Sequence, residues 1–400
     1  MNDAINIELR ARVKSIETQL NGTFIEREQA VQCLLLALLT QSNFILVGDP
    51  GTAKTALVKA AYSHVENARV FNILCGSFAT EDKVFGPVDI NGFKAGKWGR
   101  VLDGRLAAVE LGMLDEQMKS NEGTLNGMLT ALNERVYEGQ PIPLRTCGAA
   151  SNWPEVKARG DNVAALWDRM LLRAEVREVK ARSVKKADGT TYLDDANEIA
   201  LLEAADKVRK YQPTTKVTID ELDAVAAFIR DNVTITPIAR KVLVDVRHRL
   251  AKEKVNNSGR RMAALQGVLR ASAWLDGRST VTLEDFDVLR FGLWHDKEQI
   301  ALVDSVLDTI DQETVKQCIK HIDEALAEHA RIANLATQRR LEGAPVVIKK
   351  MTESAQAVQK LLAEPGATRK GRERVSKAME SLREKFKTLK TDVEKHLDPK

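Results

Sequence analysis

Gly48-Asp49-Pro50-Gly51-Thr52-Ala53-Lys54-Thr55, followed by Ala56, is the stretch on which the reading of this chain turns. Asn43-Phe-Ile-Leu-Val47 before it reads as a short buried strand, and the residues after it carry helical spacing. Strand, small-residue turn and helix in that order form a phosphate loop. Backbone N–H groups turn inward, the helix N-terminus adds its positive end, Lys54 meets the β and γ phosphates, and Thr55 offers a hydroxyl to magnesium. One position departs from the general pattern: Ala53 stands where glycine is usual, and alanine adopts positive φ less readily.

About sixty residues on, the mostly apolar run Ala107 to Leu114 ends in Asp115-Glu116. Two adjacent carboxylates at a strand end suit a metal shell and an attacking water, so Asp115 is assigned to metal and Glu116 to water. Glu110 and Gly112 weaken the strand signal. Cys147-Gly-Ala-Ala-Ser-Asn152 is a third strand candidate, from Leu144 to Ala150, whose Asn152 can hold the lytic water or the γ-phosphate. Leu166-Trp-Asp168-Arg169-Met-Leu-Leu-Arg173 sets two arginines around an apolar trio, a pattern suited to reaching a neighbour's phosphate.

Strands at 43–47, 69–74, 107–114 and 144–150 separated by helices predict an α/β fold, a parallel sheet in three layers, over residues 1–180. An amphipathic entry helix precedes them, with Leu9, Val13, Ile16 and Leu20 on one stripe. Residues 80–106, with five glycines, read as an irregular excursion. After Arg177 strand signals fade, and Thr218-Ile-Asp-Glu221, Thr236-Pro237 and Thr282-Leu-Glu-Asp285 mark helix starts. An all-α lid is expected over 181–295, then a helical section over 296–400 with breaks at Gly343–Val347 and Pro365-Gly366. Val375, Met379, Leu382, Phe386, Leu389, Val393 and Leu397 form an a/d seam, to be met by helices of this chain or by another subunit.

The composition narrows the function classes. Sixty Lys and Arg against 56 Asp and Glu leave a formal charge of +4, and eleven basic against six acidic residues after Pro365 place the excess in the tail. Interleaved charges along a helix read as a solvated face, so nucleic acid is not the expected partner. Cys33, Cys75, Cys147 and Cys318 are far apart and show no metal or disulfide spacing. No apolar stretch approaches a bilayer span, and a cytoplasmic protein with reduced thiols is expected.

These segments resemble the MoxR branch of the AAA+ ATPases, and within it the RavA (regulatory ATPase variant A) group. GDPGTAKT at 48–55, EDKVFGPVDI at 81–90, LDEQMKSNEGTLNGMLTALNERVYEG at 114–139, AASNWPE at 149–155 and LWDRMLLR at 166–173 carry the likeness. Ser258-Gly-Arg260-Arg261 and ASAWLDGRSTVTLEDF at 271–286 continue it. The branch commonly has alanine where Ala53 stands. The resemblance implies ATP and Mg2+ as ligands, a homo-oligomeric ring that is usually hexameric, and nucleotide between neighbouring subunits. It also implies Asn152 as sensor 1, Arg169 or Arg173 as arginine finger, and Arg260 or Arg261 as sensor 2.

The excursion at 80–106, with Phe93 and Trp98, resembles the family's helix-2 insertion, whose aromatics either grip substrate at the ring axis or anchor packing. A partner with a von Willebrand factor type A domain and a chaperone-like role in maturing a protein complex are likewise implied. RavA-like proteins carry a compact β-rich module in the C-terminal helical section, and the link at 341–351 leaves no room for one. The alternatives are a ring motor on nucleic acid and a scaffold locked by nucleotide without hydrolysis.

Overall fold

A computed structural model describes the backbone of residues 3–76, 79–120, 122–153, 161–185, 191–333, 335, 337–363 and 367–397. The chain divides into two compact units, Met1–Val233 with Gly259–Ser279, and Thr234–Ser258 with Thr280–Lys400.

The first unit is built on a five-stranded sheet. In chain order its strands are β1 (Phe44–Val47), β2 (Val70–Leu74), β3 (Leu111–Asp115), β4 (Thr146–Ser151) and β5 (Leu172–Glu175). Across the sheet they run β2-β3-β4-β1-β5, and every pair is parallel. Parallel neighbours need crossover helices, which cover both faces and leave β1 and β4 buried along their whole length. Around it lie α1 (Asp3–Thr23), α2 (Glu28–Thr40), α3 (Lys54–Tyr62), α4 (Glu122–Glu134) and α5 (Asp161–Arg169). The α1 stripe Leu9, Val13, Ile16 and Leu20 is buried as its spacing predicts.

The third strand begins later than its sequence suggests. Residues 106–108 make a 3-10 turn, and β3 starts only at Leu111. Two features explain the delay. Glu110 turns out to accept from Arg69 at 2.6 Å, and a Cβ on Gly112 would meet Leu106 Cδ1 at 2.7 Å. Glycine there lets the preceding turn fold back onto the sheet.

Beyond Arg177 the chain is not wholly helical. Arg182–Lys185 and Thr191–Asp194 pair antiparallel as a two-stranded ribbon before α6 (Ala196–Arg209). Next, α7 (Ile219–Asn232) opens with the expected capping box: Thr218 N donates to Glu221 and Glu221 N to Thr218 Oγ1.

The second unit opens with α8 (Pro237–Lys252), capped by Thr236 with Pro237 in its first turn. The first unit resumes with α9 (Gly259–Leu275), whose Trp274 donates to Asn6 at 2.5 Å. In the second unit the box at Thr282 starts a 3-10 stretch, Leu283–Phe291, rather than an α-helix. Then follow α10 (Glu298–Leu307), α11 (Gln312–Ala333), α12 (Thr337–Ala363) and α13 (Arg369–Leu397).

The break expected at Gly343–Val347 does not occur, and Pro345 rides inside α12. Ala344 and Val347, 0% and 3% exposed, are held in the bundle core, and that packing offsets the lost hydrogen bond at the proline. Pro365 and Gly366 lie outside the described residues. The a/d seam of α13 packs on α11 and α12 of the same chain through Val375, Leu382 and Leu389. The side chain of Leu397 lies outside the described residues.

Candidate functional site

Parallel pairing brings the chemistry to one edge. Val47 is registered with Ser151, and Asp115 with Ala150, so the residues following β1, β3 and β4 emerge together at the C-terminal ends of the strands. Gly48 N donates to Ser151 O at 3.2 Å and Glu116 N to Ala150 O at 2.9 Å, which extends the ladder into the site. Gly48 is required by close approach, because a Cβ there would sit 1.9 Å from Val176 O.

The loop then closes on itself. Thr52 Oγ1 donates to Asp49 O at 2.9 Å, Gly51 has φ +80°, and Ala53 takes the left-handed conformation at φ +63°, ψ +22° as the cap of α3. Holding a side chain in that region costs on the order of 1 kcal/mol. Lys54, 8% exposed, donates to Gly48 O at 2.9 Å, Asp49 O at 2.8 Å and Asn152 Oδ1 at 3.3 Å. Thr55 Oγ1 donates to Asp115 Oδ2 at 2.7 Å. One hydroxyl and one carboxylate at hydrogen-bond distance, next to a phosphate loop, are the donor set a hard six-coordinate cation takes together with phosphate oxygens and water. Among the described residues no group of three or more His, Cys, Asp or Glu could hold a metal by itself. Glu116, in the left-handed region at φ +53°, directs its carboxylate to Lys119 Nζ at 2.9 Å.

The four sequence-selected arginines stand elsewhere. Arg173, on β5, is 0% exposed, stacks 4.7 Å over Trp167 and donates to Trp167 O at 3.0 Å. Enclosed in this way, it presents no face to a neighbouring molecule. Arg169 ends α5, half-buried, and donates to Ala165 O at 2.8 Å. Arg261 is buried and grips the same segment, donating to Asp168 O at 2.7 Å, Leu171 O at 2.9 Å and Met170 O at 3.2 Å; burial lowers its pKa. Arg260 is exposed beside Asn133 Oδ1.

Register locates this cluster. Leu172 pairs with Phe44, the start of β1, whereas the phosphate loop leaves the other end after Val47. One strand length, roughly 10 Å, separates the two ends. Arg169 and Arg261 therefore stand at the edge of the sheet opposite the chain's own phosphate loop.

Residues 11–209 match a family model described as the MoxR domain in the MoxR-vWA-beta-propeller ternary systems, and residues 239–307 match an AAA lid domain. The chain is a MoxR-type AAA+ protein. An uncharacterized protein of Methanocaldococcus jannaschii is 29% identical over 361 residues, 89% of this chain and 86% of its own length. A second from the same archaeon is 28% identical over 72% of each chain. A crystal structure of a candidate ATPase from Cytophaga hutchinsonii superposes with a TM-score of 0.57 at 19% identity, covering 78% of this chain and 96% of its own, a likeness of fold alone.

The MoxR domain holds two site residues that the motifs do not reveal. Arg27, 6% exposed, donates through Nε to Thr52 O at 3.3 Å and through a terminal nitrogen to Glu26 O at 2.8 Å, so it braces the carbonyl just before Ala53. Lys119 holds Glu116, and its signal was the i, i+3 spacing. In the excursion, Arg100 ties Asp82 at 2.6 Å, Glu81 at 3.1 Å and Glu138 at 3.4 Å, fixing the base. Beyond that base Phe93 and Trp98 meet edge to face at 6.1 Å and stay 61% and 67% exposed, so they do not anchor packing within this chain. All four cysteines are free and buried; burial pushes Cys75 and Cys147 each up to about 12, and neither is a ready thiolate. No helix among the described residues is long and apolar enough to cross a membrane.

Proposed function

We propose that this MoxR-type protein binds and hydrolyses Mg-ATP as a ring of like subunits and uses the cycle to remodel a partner protein complex, in the manner of the RavA-like group. The observation that carries the reading is the Thr55–Asp115 contact at 2.7 Å beside a phosphate loop whose lysine also reaches Asn152. Gly48, Asp49, Pro50, Gly51, Thr52, Ala53 and Ala56 wrap the phosphates, and Lys54 meets the β and γ groups. Thr55 and Asp115 would hold magnesium, which when bound offsets phosphate charge. Glu116 takes the proton of the attacking water once released from Lys119, and Asn152 orients that water.

Arg169 and Arg260 of one copy complete the site of the next, while Arg261 positions Arg169. Arg173 is the weaker choice of finger because it is enclosed. The exposed Phe93–Trp98 pair grips the remodelled protein. A partner with a von Willebrand factor type A domain is favoured by the description of the matching family, whose systems join MoxR to such a domain. The cytoplasm is the proposed location.

Mixing tests the assignment. Glu116→Gln keeps the arginines and loses the base, and Arg169→Ala does the reverse; each alone is expected to release phosphate at under about 1% of the parent rate. An equimolar mixture should recover about a quarter of it, the share of sites pairing an intact base with an intact neighbouring arginine. Recovery no better than the separate variants would overturn the shared site.

A further inference from the structure

The bundle of α11, α12 and α13 leaves part of its apolar seam open. On α13 the residues spaced by seven, Val375, Leu382 and Leu389, are 1%, 2% and 2% exposed, whereas the alternate set, Met379, Phe386 and Val393, is only partly buried. A seam covered at one heptad position and open at the other has room for a further helix. The open side is a groove of about 780 Å³ between α12 and α13, floored by Val358, Val375 and Leu382 and walled by Leu362, Met379 and Phe386. From Val375 to Phe386 it runs for roughly 16 Å, three helical turns.

Charge selects the occupant. Among the described residues no carboxylate lines the groove, and Arg372 and Arg383 stand at its rim. Its two walls are basic: α13 carries ten Lys or Arg against five Asp or Glu, and α12 five against two. Arg372 is already paired with Glu284, while Arg383 is exposed and makes no ion pair among the described residues. The same face of a second copy would bring like charge against like charge. We propose that this groove docks an acidic amphipathic helix of a partner protein, apolar side chains entering between α12 and α13 and carboxylates meeting Arg383 and its neighbours. Methionine and phenylalanine on the walls suit a contact that repacks around differing side chains. The site lies in the second unit and needs no nucleotide.

The test uses the full chain and two fluorescein-labelled helical peptides of about five turns, one with leucine at i, i+3, i+4 and i+7 and glutamate elsewhere, the other with lysine for glutamate. Anisotropy should show saturable binding of the acidic peptide and at least about tenfold weaker binding of the basic one. Arg383→Glu, an exposed change that leaves the core intact, should weaken the acidic peptide at least about tenfold, and so should Phe386→Ser. Equal affinity for both peptides, affinity unchanged in both variants, or no binding would overturn the proposal. So would displacement of the peptide by duplex DNA, or loss of self-association on Arg383→Glu, which would assign the groove to nucleic acid or to a second copy.

Discussion

Replacing Arg261 by alanine separates a structural clamp from a surface ion pair. The guanidinium is 2% exposed and its partner carboxylate on Asp168 is 55% exposed, so the ion pair, screened by solvent, contributes under about 1 kcal/mol. The three carbonyls of Asp168, Met170 and Leu171 are different. Each loses a charged donor, Met170 O in a buried contact and the other two in partly buried ones, at about 1 kcal/mol apiece, giving about 3 kcal/mol for Arg261→Ala. For a unit of this size that lowers the melting temperature by roughly 6–12 °C. Circular dichroism on Arg261→Ala and Asp168→Ala reads both terms, and the second variant should lose under about 1 kcal/mol. Equal losses in the two, or a loss under about 1 kcal/mol for Arg261→Ala, would refute the carbonyl clamp. Because the clamped segment contains Arg169, adding Arg169→Ala to Arg261→Ala should lower turnover by far less than the two single effects combined.

Glu116→Gln should retain nucleotide binding, read by a fluorescent ATP analogue, while phosphate release falls about 10²- to 10⁴-fold. Lys119→Ala removes an ion pair worth up to about 1 kcal/mol, so basal turnover should rise by up to about fivefold if the pair restrains Glu116; a fall would show that Lys119 assists instead. His64 lies between Thr215 O at 2.5 Å and the Tyr211 hydroxyl at 2.6 Å, and burial, ahead of the neighbouring Lys216, lowers its pKa below the ordinary 6.5. Between the two values the unfolded chain takes up a proton that the folded chain refuses, so this group's contribution is complete above pH 6.5 and lost as pH falls toward the folded value. His64→Gln should flatten the melting-temperature profile between pH 5 and about 7.

The phosphate loop, Asp115, Glu116 and Asn152 are legible because each follows a strand directly, and parallel register carries consecutive strand ends to one edge. Capping boxes at Thr218 and Thr282 are legible for a similar reason, being local hydrogen-bond patterns. Sequence alone does not show which end of the sheet Arg169, Arg260 and Arg261 occupy, since that depends on how α9 returns to α5 from ninety residues away. Nor does spacing separate Arg169 from Arg173, four residues apart, one at a helix end and one inside the core. The ribbon of Arg182–Lys185 and Thr191–Asp194 escapes a reading by periodicity because its strands are four residues long and charged, although the sequence between them carries Asp188-Gly189, a turn-forming pair. Pro345 misleads in the other direction: the bundle core on either side of it outweighs one lost backbone bond.

The two ends of the sheet also constrain how copies of the chain can cooperate. Phosphate loop and carboxylates open at the Val47 end of β1, and the arginine cluster stands by the Phe44 end. If the cluster completes a nucleotide site, as proposed, it cannot be the one on its own chain without moving about a strand length through the core. Each copy then has one face that accepts arginines and a different face that donates them. Contacts between unlike faces are heterologous, and such contacts either close into a ring or run on as a filament. A twofold dimer, in which the same patch meets itself, would leave both sites without a donor. Catalysis by this arrangement therefore requires a head-to-tail neighbour, and turnover per chain should climb with concentration more steeply than nucleotide binding does.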